Sequence, residues 1–137
     1  MNIRLVPGWL LAGMVCLLTA CDNSYDYHFQ VANQTNKKVL VTLYEQAGSK
    51  VPTRQQFVAP NATETVLIVS GGLCGNKCPA PAIEDASFAL VVPRMVITQS
   101  DSLRFNRKSQ NSLNWFFQSK DQLGVYTMYV HPKDLLP

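Results

Sequence analysis

Cys74-Gly75-Asn76-Lys77-Cys78 is the most chemically pointed stretch of the chain. Three intervening residues, one of them glycine, let the backbone curl enough to bring two sulfurs together. In an oxidising compartment this spacing predicts a disulfide closing a five-residue loop, worth about 2 kcal/mol in the chain-entropy model. A thiol-redox pair wants two intervening residues beside a strand-to-helix start, and neither is expected here. A structural zinc wants four ligands, and no neighbouring Cys or His pair supplies the other two. A structural disulfide between Cys74 and Cys78 is the reading taken, with redox, metal and free-thiol states as alternatives. His28 and His131 lie near opposite ends of the chain and would approach only if the first and last strands pair. No G-x-S-x-G or H-E-x-x-H pattern accompanies them, so no catalytic residue and no metal ligand is assigned. They read as solvent-facing strand residues. Glu84-Asp85 is an adjacent acid pair in a Pro-rich loop, where solvation is the default. Ser70-Gly71-Gly72-Leu73-Cys74-Gly75 lacks the lysine of a phosphate loop, and no helix is expected after it. Its glycines are expected to end a strand.

Two further clusters could bind rather than react. Arg104-Phe105-Asn106-Arg107-Lys108 gathers three cations around one ring. It suits anionic head groups or polysaccharide, or simply a solvated hairpin tip. Trp115-Phe116-Phe117 places rings on both faces of one strand, so at least one should lie outside the core. That ring could cover an edge or contact a sugar or protein. The candidate binding surface is therefore Trp115, Phe116, Phe117, Arg104, Arg107 and Lys108.

Cys21 has a different neighbourhood. Met1 to Arg4 is short and positively charged, and Leu5 to Leu18 is almost wholly apolar. Fourteen residues are too few to cross about 30 Å of hydrocarbon as a helix, but they fit the apolar region of a secretory signal. Leu18-Thr19-Ala20-Cys21 then resembles the bacterial lipobox: an aliphatic residue, two small ones, then cysteine. The resemblance implies that the Cys21 thiol carries diacylglycerol, that the signal is cut just before it, and that the new amino terminus is acylated. Two or more acyl chains, at roughly 0.8 kcal/mol per buried methylene, anchor a protein firmly without a spanning helix. The covalent lipid is the only non-protein group expected. Asp22 follows; in enteric-type bacteria aspartate here tends to hold lipoproteins on the inner membrane, whereas other Gram-negative groups sort differently, so both membranes remain open.

What must position these residues is a single domain. The 137 residues are 47% hydrophobic and 15% charged with a net charge of +3. Disordered chains couple low hydrophobicity to high charge, so disorder is excluded, and so small a net charge argues against nucleic acid as a partner. Residues 1–20 read as the signal, 21–25 as the lipidated terminus and tether, and 26–137 as the domain. From Asp26 the chain alternates with period two, Tyr27, Phe29 and Val31 sharing one parity. Asn33–Asn36 is a polar turn, and Lys37–Glu45 a second strand expected to form a hairpin with the first. Further strands are expected at Arg54–Val58, Thr63–Ser70, Ser87–Val92, Met95–Thr98, Leu103–Phe105, Leu113–Gln118 and Val125–Val130, with Cys74–Ala86 a loop holding at most a helical turn near Ile83–Ala86. Asn33-Gln34-Thr35 and Asn61-Ala62-Thr63 match glycosylation sequons but, in a bacterial chain, read as turns. Eight or nine short strands in such a length predict an all-β antiparallel sandwich of immunoglobulin-like type, with a small β-barrel as the alternative.

The lipobox, the strand Tyr27-His28-Phe29-Gln30-Val31 and the closing strand Val125–Val130 are similar to those of small single-domain lipoproteins of Gram-negative bacteria. The resemblance implies an envelope location and a sandwich, and no activity. The expected role is a non-enzymatic structural or binding module anchored to a membrane, with an envelope protein or a glycan as partner. The alternatives are an envelope hydrolase, a thiol-redox protein, or an inhibitor acting through the Cys74–Ala86 loop.

Overall fold

Alternation in the first strand is the seed of the architecture. Tyr27, Phe29 and Val31 are buried, while the intervening His28 and Gln30 face the other side. The computed structural model describes residues 23–45, 48–74 and 79–137. Its strands are β1 (Asn23–Asn33), β2 (Val39–Tyr44), β3 (Arg54–Val58), β4 (Thr63–Cys74), β5 (Arg94–Ser100), β6 (Leu103–Phe105), β7 (Phe116–Lys120), β8 (Leu123–Val130) and β9 (Leu135–Leu136), with one helix, α1 (Asp85–Val91), between β4 and β5.

The strands form two open sheets. The first has the order β4-β1-β8-β7 and the second β3-β2-β5-β6-β9. Their inner faces meet in one core, to which β1 gives Phe29 and Val31, β2 gives Val39, Val41 and Leu43, β5 gives Met95 and Ile97, and β8 gives Tyr126, Met128 and Val130. This is the expected all-β sandwich and not a closed barrel. One pairing departs from the antiparallel rule: β1 and β8 run parallel, from Asp26 opposite Leu123 to Asn33 opposite Val130.

Several local expectations are corrected. Lys37–Glu45 does form a strand, but β1 and β2 are not a hairpin; they belong to different sheets. Asn33 carries the chain across. Its Nδ2 donates to the carbonyls of Lys37 (2.8 Å), Val58 (3.1 Å) and Ala59 (3.1 Å), and its Oδ1 accepts from the backbone N–H and the hydroxyl of Thr35. Asn23–Tyr25, read as part of a tether, are already in β1, paired to the end of β4. Ser87–Val92, expected as a strand, is mostly α1, ending against Pro93, before which helical backbone is disfavoured. Leu113 lies in a 3-10 turn (Ser112–Asn114), so the strand expected from it starts at Phe116.

The fourth strand does not stop at the glycines; it continues through them to Cys74. The reason is steric. The Tyr25 ring lies across Gly71 and Gly72, and a Cβ on Gly72 would stand 2.7 Å from the Tyr25 hydroxyl oxygen. Glycine in a strand interior here marks close approach by a neighbouring ring rather than a turn.

Candidate functional site

The aromatic trio divides along the strand period. Trp115 is buried, its indole N–H donating to the Ser109 carbonyl at 2.7 Å, and its ring meets Phe29 edge-on at 5.3 Å between centroids. Phe117 is half-buried, 4.7 Å from the Tyr126 ring. Phe116 points the other way and is 54% exposed. One ring therefore stands outside the core, as the two-faced pattern predicts.

Phe116 belongs to a surface that the sheet register assembles. It lies opposite Thr127, which lies opposite Gln30, which lies opposite Thr65, giving one row across all four strands of the first sheet. The Gln30 side-chain amide donates to the Thr65 hydroxyl at 3.3 Å. The neighbouring row runs Gln118, Val125, His28 and Ile68, with Ile68 well exposed. The outer face of this sheet thus offers aromatic and aliphatic area interleaved with amides and hydroxyls. Sequence reasoning found Phe116 but not the row, because the row depends on a parallel pairing between distant segments.

The basic cluster does not join that surface. Arg104 lies on β6 opposite Leu136, in the second sheet. Arg107 donates to the Asp134 carboxylate at 3.1 Å, an ion pair in which the carboxylate is buried and the guanidinium half-exposed. Lys108 is exposed, and its carbonyl accepts from the Asn114 side chain at 2.8 Å. Arg104-Phe105-Asn106-Arg107-Lys108 is thus the end of a strand and the loop leaving it, not a hairpin tip. Arg94 lines a surface pocket together with Arg107 and Lys108, and its guanidinium sits 4.0 Å over the Tyr44 ring.

His28 and His131 are held apart by the pairing that could have joined them. In the β1–β8 register His28 faces Val125, whereas His131 follows Val130 at the far end of β8. Among the described residues no group of three or more His, Cys, Asp and Glu is placed to hold a metal ion. In the acid pair, Asp85 accepts a hydrogen bond from the Ser112 hydroxyl at 2.5 Å, tying α1 to the 3-10 turn, and Glu84 is exposed.

Two tyrosines fasten the segment before α1 onto the sandwich. The Tyr27 hydroxyl donates to the Pro81 carbonyl at 2.7 Å, and the Ile83 N–H donates to the Tyr126 oxygen at 2.6 Å. Burial, reinforced by the neighbouring Tyr25 and Tyr126 phenols, pushes the Tyr27 hydroxyl up to about 12. Burial also raises that of Tyr126, against the opposing effect of the Ile83 N–H bond. Both are neutral packing phenols at physiological pH. The described part of the Cys74–Ala86 loop therefore lies along the domain, with Ala80 buried. Lipidation at Cys21 and the Cys74–Cys78 pairing fall outside the described residues. No helix among the described residues is long and apolar enough to cross a membrane.

The fold and surface define an all-β, two-sheet sandwich. No protein-family model matches the chain, and neither a curated protein nor a solved structure does.

Proposed function

We propose that the chain is a lipid-anchored protein of the bacterial cell envelope whose sandwich is a non-enzymatic module for binding an envelope protein or a glycan. The observation that carries this reading is Leu18-Thr19-Ala20-Cys21 behind a fourteen-residue apolar run, directly ahead of a sandwich that begins at Asn23. Cys21 takes the lipid, and outside the cytoplasm Cys74 and Cys78 close their short loop as a disulfide. The binding surface is the outer face of the first sheet, centred on Phe116, where a ring beside amides and hydroxyls suits stacking and hydrogen bonding to a sugar or a polar protein surface.

Cys21→Ala tests the anchor. It is expected to abolish incorporation of labelled palmitate and to release the protein from membranes; continued labelling overturns the reading. Crosslinking in intact cells then identifies the partner, and Phe116→Ala is expected to weaken capture of it while leaving the melting temperature unchanged. A captured partner that is insensitive to Phe116 removes this face from the proposal.

A further inference from the structure

We infer that the sandwich stands on the membrane by one particular end, with the tip of the β1–β4 ribbon set in the lipid head-group layer; this rests on lipidation of Cys21. Only Asp22 separates Cys21 from the first residue of β1. Two residues of fully extended chain span at most about 7 Å between Cα atoms. The head-group layer of each leaflet is itself about 5–7 Å thick. No freely jointed spacer is available to lift the domain clear, so whatever begins at Asn23 begins at the bilayer surface.

The structure says what that is. Asn23 pairs with Cys74 and Ser24 with Leu73, in a two-stranded ribbon. The next strand over, β8, joins only at Asp26, opposite Leu123. The ribbon therefore projects about 10 Å past the first residue of β8, at roughly 3.3 Å per residue. Leu73 is 72% exposed at its tip and contributes nothing to the core. A leucine there is in place to enter the interfacial region as the acyl chains enter the hydrocarbon. Tyr25, packed on Gly71 and Gly72 and edge-on to Tyr27 at 5.6 Å, stiffens the ribbon against the rest of the sheet.

The same geometry fixes what faces away. Asn33 and Val130 end the paired strands at the other extremity, with Gln34 exposed just beyond. The basic segment starts near that end, with Arg104 opposite Thr98, and runs back along β5, since Ser109, just after Lys108, accepts from the Met95 N–H and donates to the Pro93 carbonyl.

The test uses the lipidated protein in vesicles of phosphatidylethanolamine and phosphatidylglycerol, some of them carrying lipids brominated high on the acyl chain. Leu73→Trp places a reporter at the ribbon tip, Gln34→Trp places one at the far end, and native Trp115, buried in the core, is the internal reference. Loss of most of the added emission at position 73, with none at position 34, is the expected result. A Gly/Ser spacer of about ten residues inserted after Asp22 is expected to restore the emission at position 73 without loss of the lipid, since such a chain spans on the order of 15–20 Å. Vesicle-bound, lipid-labelled protein without quenching at position 73, or with equal quenching at both positions, overturns the orientation alone. Absence of the lipid label overturns the anchor reading, and the orientation falls with it.

Discussion

Phe29 and Tyr126 face each other directly across the parallel β1–β8 pair, their rings 8° from parallel and their centroids 5.1 Å apart. Phe88 of α1 meets both rings edge-on or nearly so, at 6.1 Å from Phe29 and 5.3 Å from Tyr126. Strand, strand and helix thus share one aromatic cluster. Phe29→Ala removes a fully buried ring and is expected to destabilise the domain by about 3–5 kcal/mol. Tyr126→Phe keeps the ring but leaves the Ile83 N–H without its acceptor, at about 1–3 kcal/mol. Urea unfolding of both variants checks the order. Equal losses would mean that the Ile83 bond contributes as much as the buried Phe29 ring.

The second prediction concerns alkaline pH. The folded-state value of Tyr27, about 12, lies above the ordinary 10 of an exposed phenol. Below pH 10 both folded and unfolded chains hold the proton, so the full contribution to stability is present. Between 10 and 12 the unfolded chain ionises first, and stability falls as pH rises. Tyr27→Phe is expected to flatten that fall, at the cost of the bond to Pro81. Denaturation midpoints across this window, with phenolate absorption followed in parallel, check it. An unchanged alkaline slope in the variant counts against the assignment.

Gly124 is a close-approach glycine in β8. A Cβ there would stand 2.6 Å from the Tyr27 ring and 3.1 Å from that of Phe117. Gly124→Ala must displace both rings and is expected to cost about 1–3 kcal/mol. The loss should be relieved in the double variant with Phe117→Ala only in part, because Tyr27 remains pinned by Pro81. Thermal melts of the single and double variants distinguish the two clashes.

Arg107 and Asp134 provide the fourth. The second Asp134 oxygen is buried without a hydrogen-bond partner among the described residues, so the carboxylate leans on Arg107 alone. Arg107→Ala is expected to destabilise by about 1–2 kcal/mol, a figure reduced by the half-exposed guanidinium. Arg104→Ala, on an exposed side chain, should stay within about 0.5 kcal/mol. Chemical denaturation of the two variants at matched salt gives the comparison.

How far the sequence anticipates this structure depends on the range of the signal. β3 and β6 occupy the segments that their β-type composition and flanking turns predict. Period-two alternation also identifies the buried parity of β1 correctly. It says only that a strand is half-buried, however, and not which sheet it joins, so two strands linked by a short polar turn read as a hairpin until Asn33 is seen to route the chain between layers. α1 escapes because seven residues are too few for a helical stripe. Within it only Phe88 is buried, and Phe88-Ala89-Leu90-Val91-Val92 reads as a strand by composition. The Phe116 row and the Arg107–Asp134 pair carry no local signal at all, since each joins segments that meet only in the finished fold.

The parallel β1–β8 pair has one more consequence, for assembly in time. The first and last long strands of the domain lie side by side in the middle of the first sheet. That contact spans nearly the whole domain sequence, the kind of non-local pairing that slows folding because loop closure must come before any reward. A nascent chain that has reached β4 can pair β1 with β4 and β2 with β3, two ribbons with neither sheet complete. The sandwich can close only when its final residues arrive, so the first sheet gains its centre last.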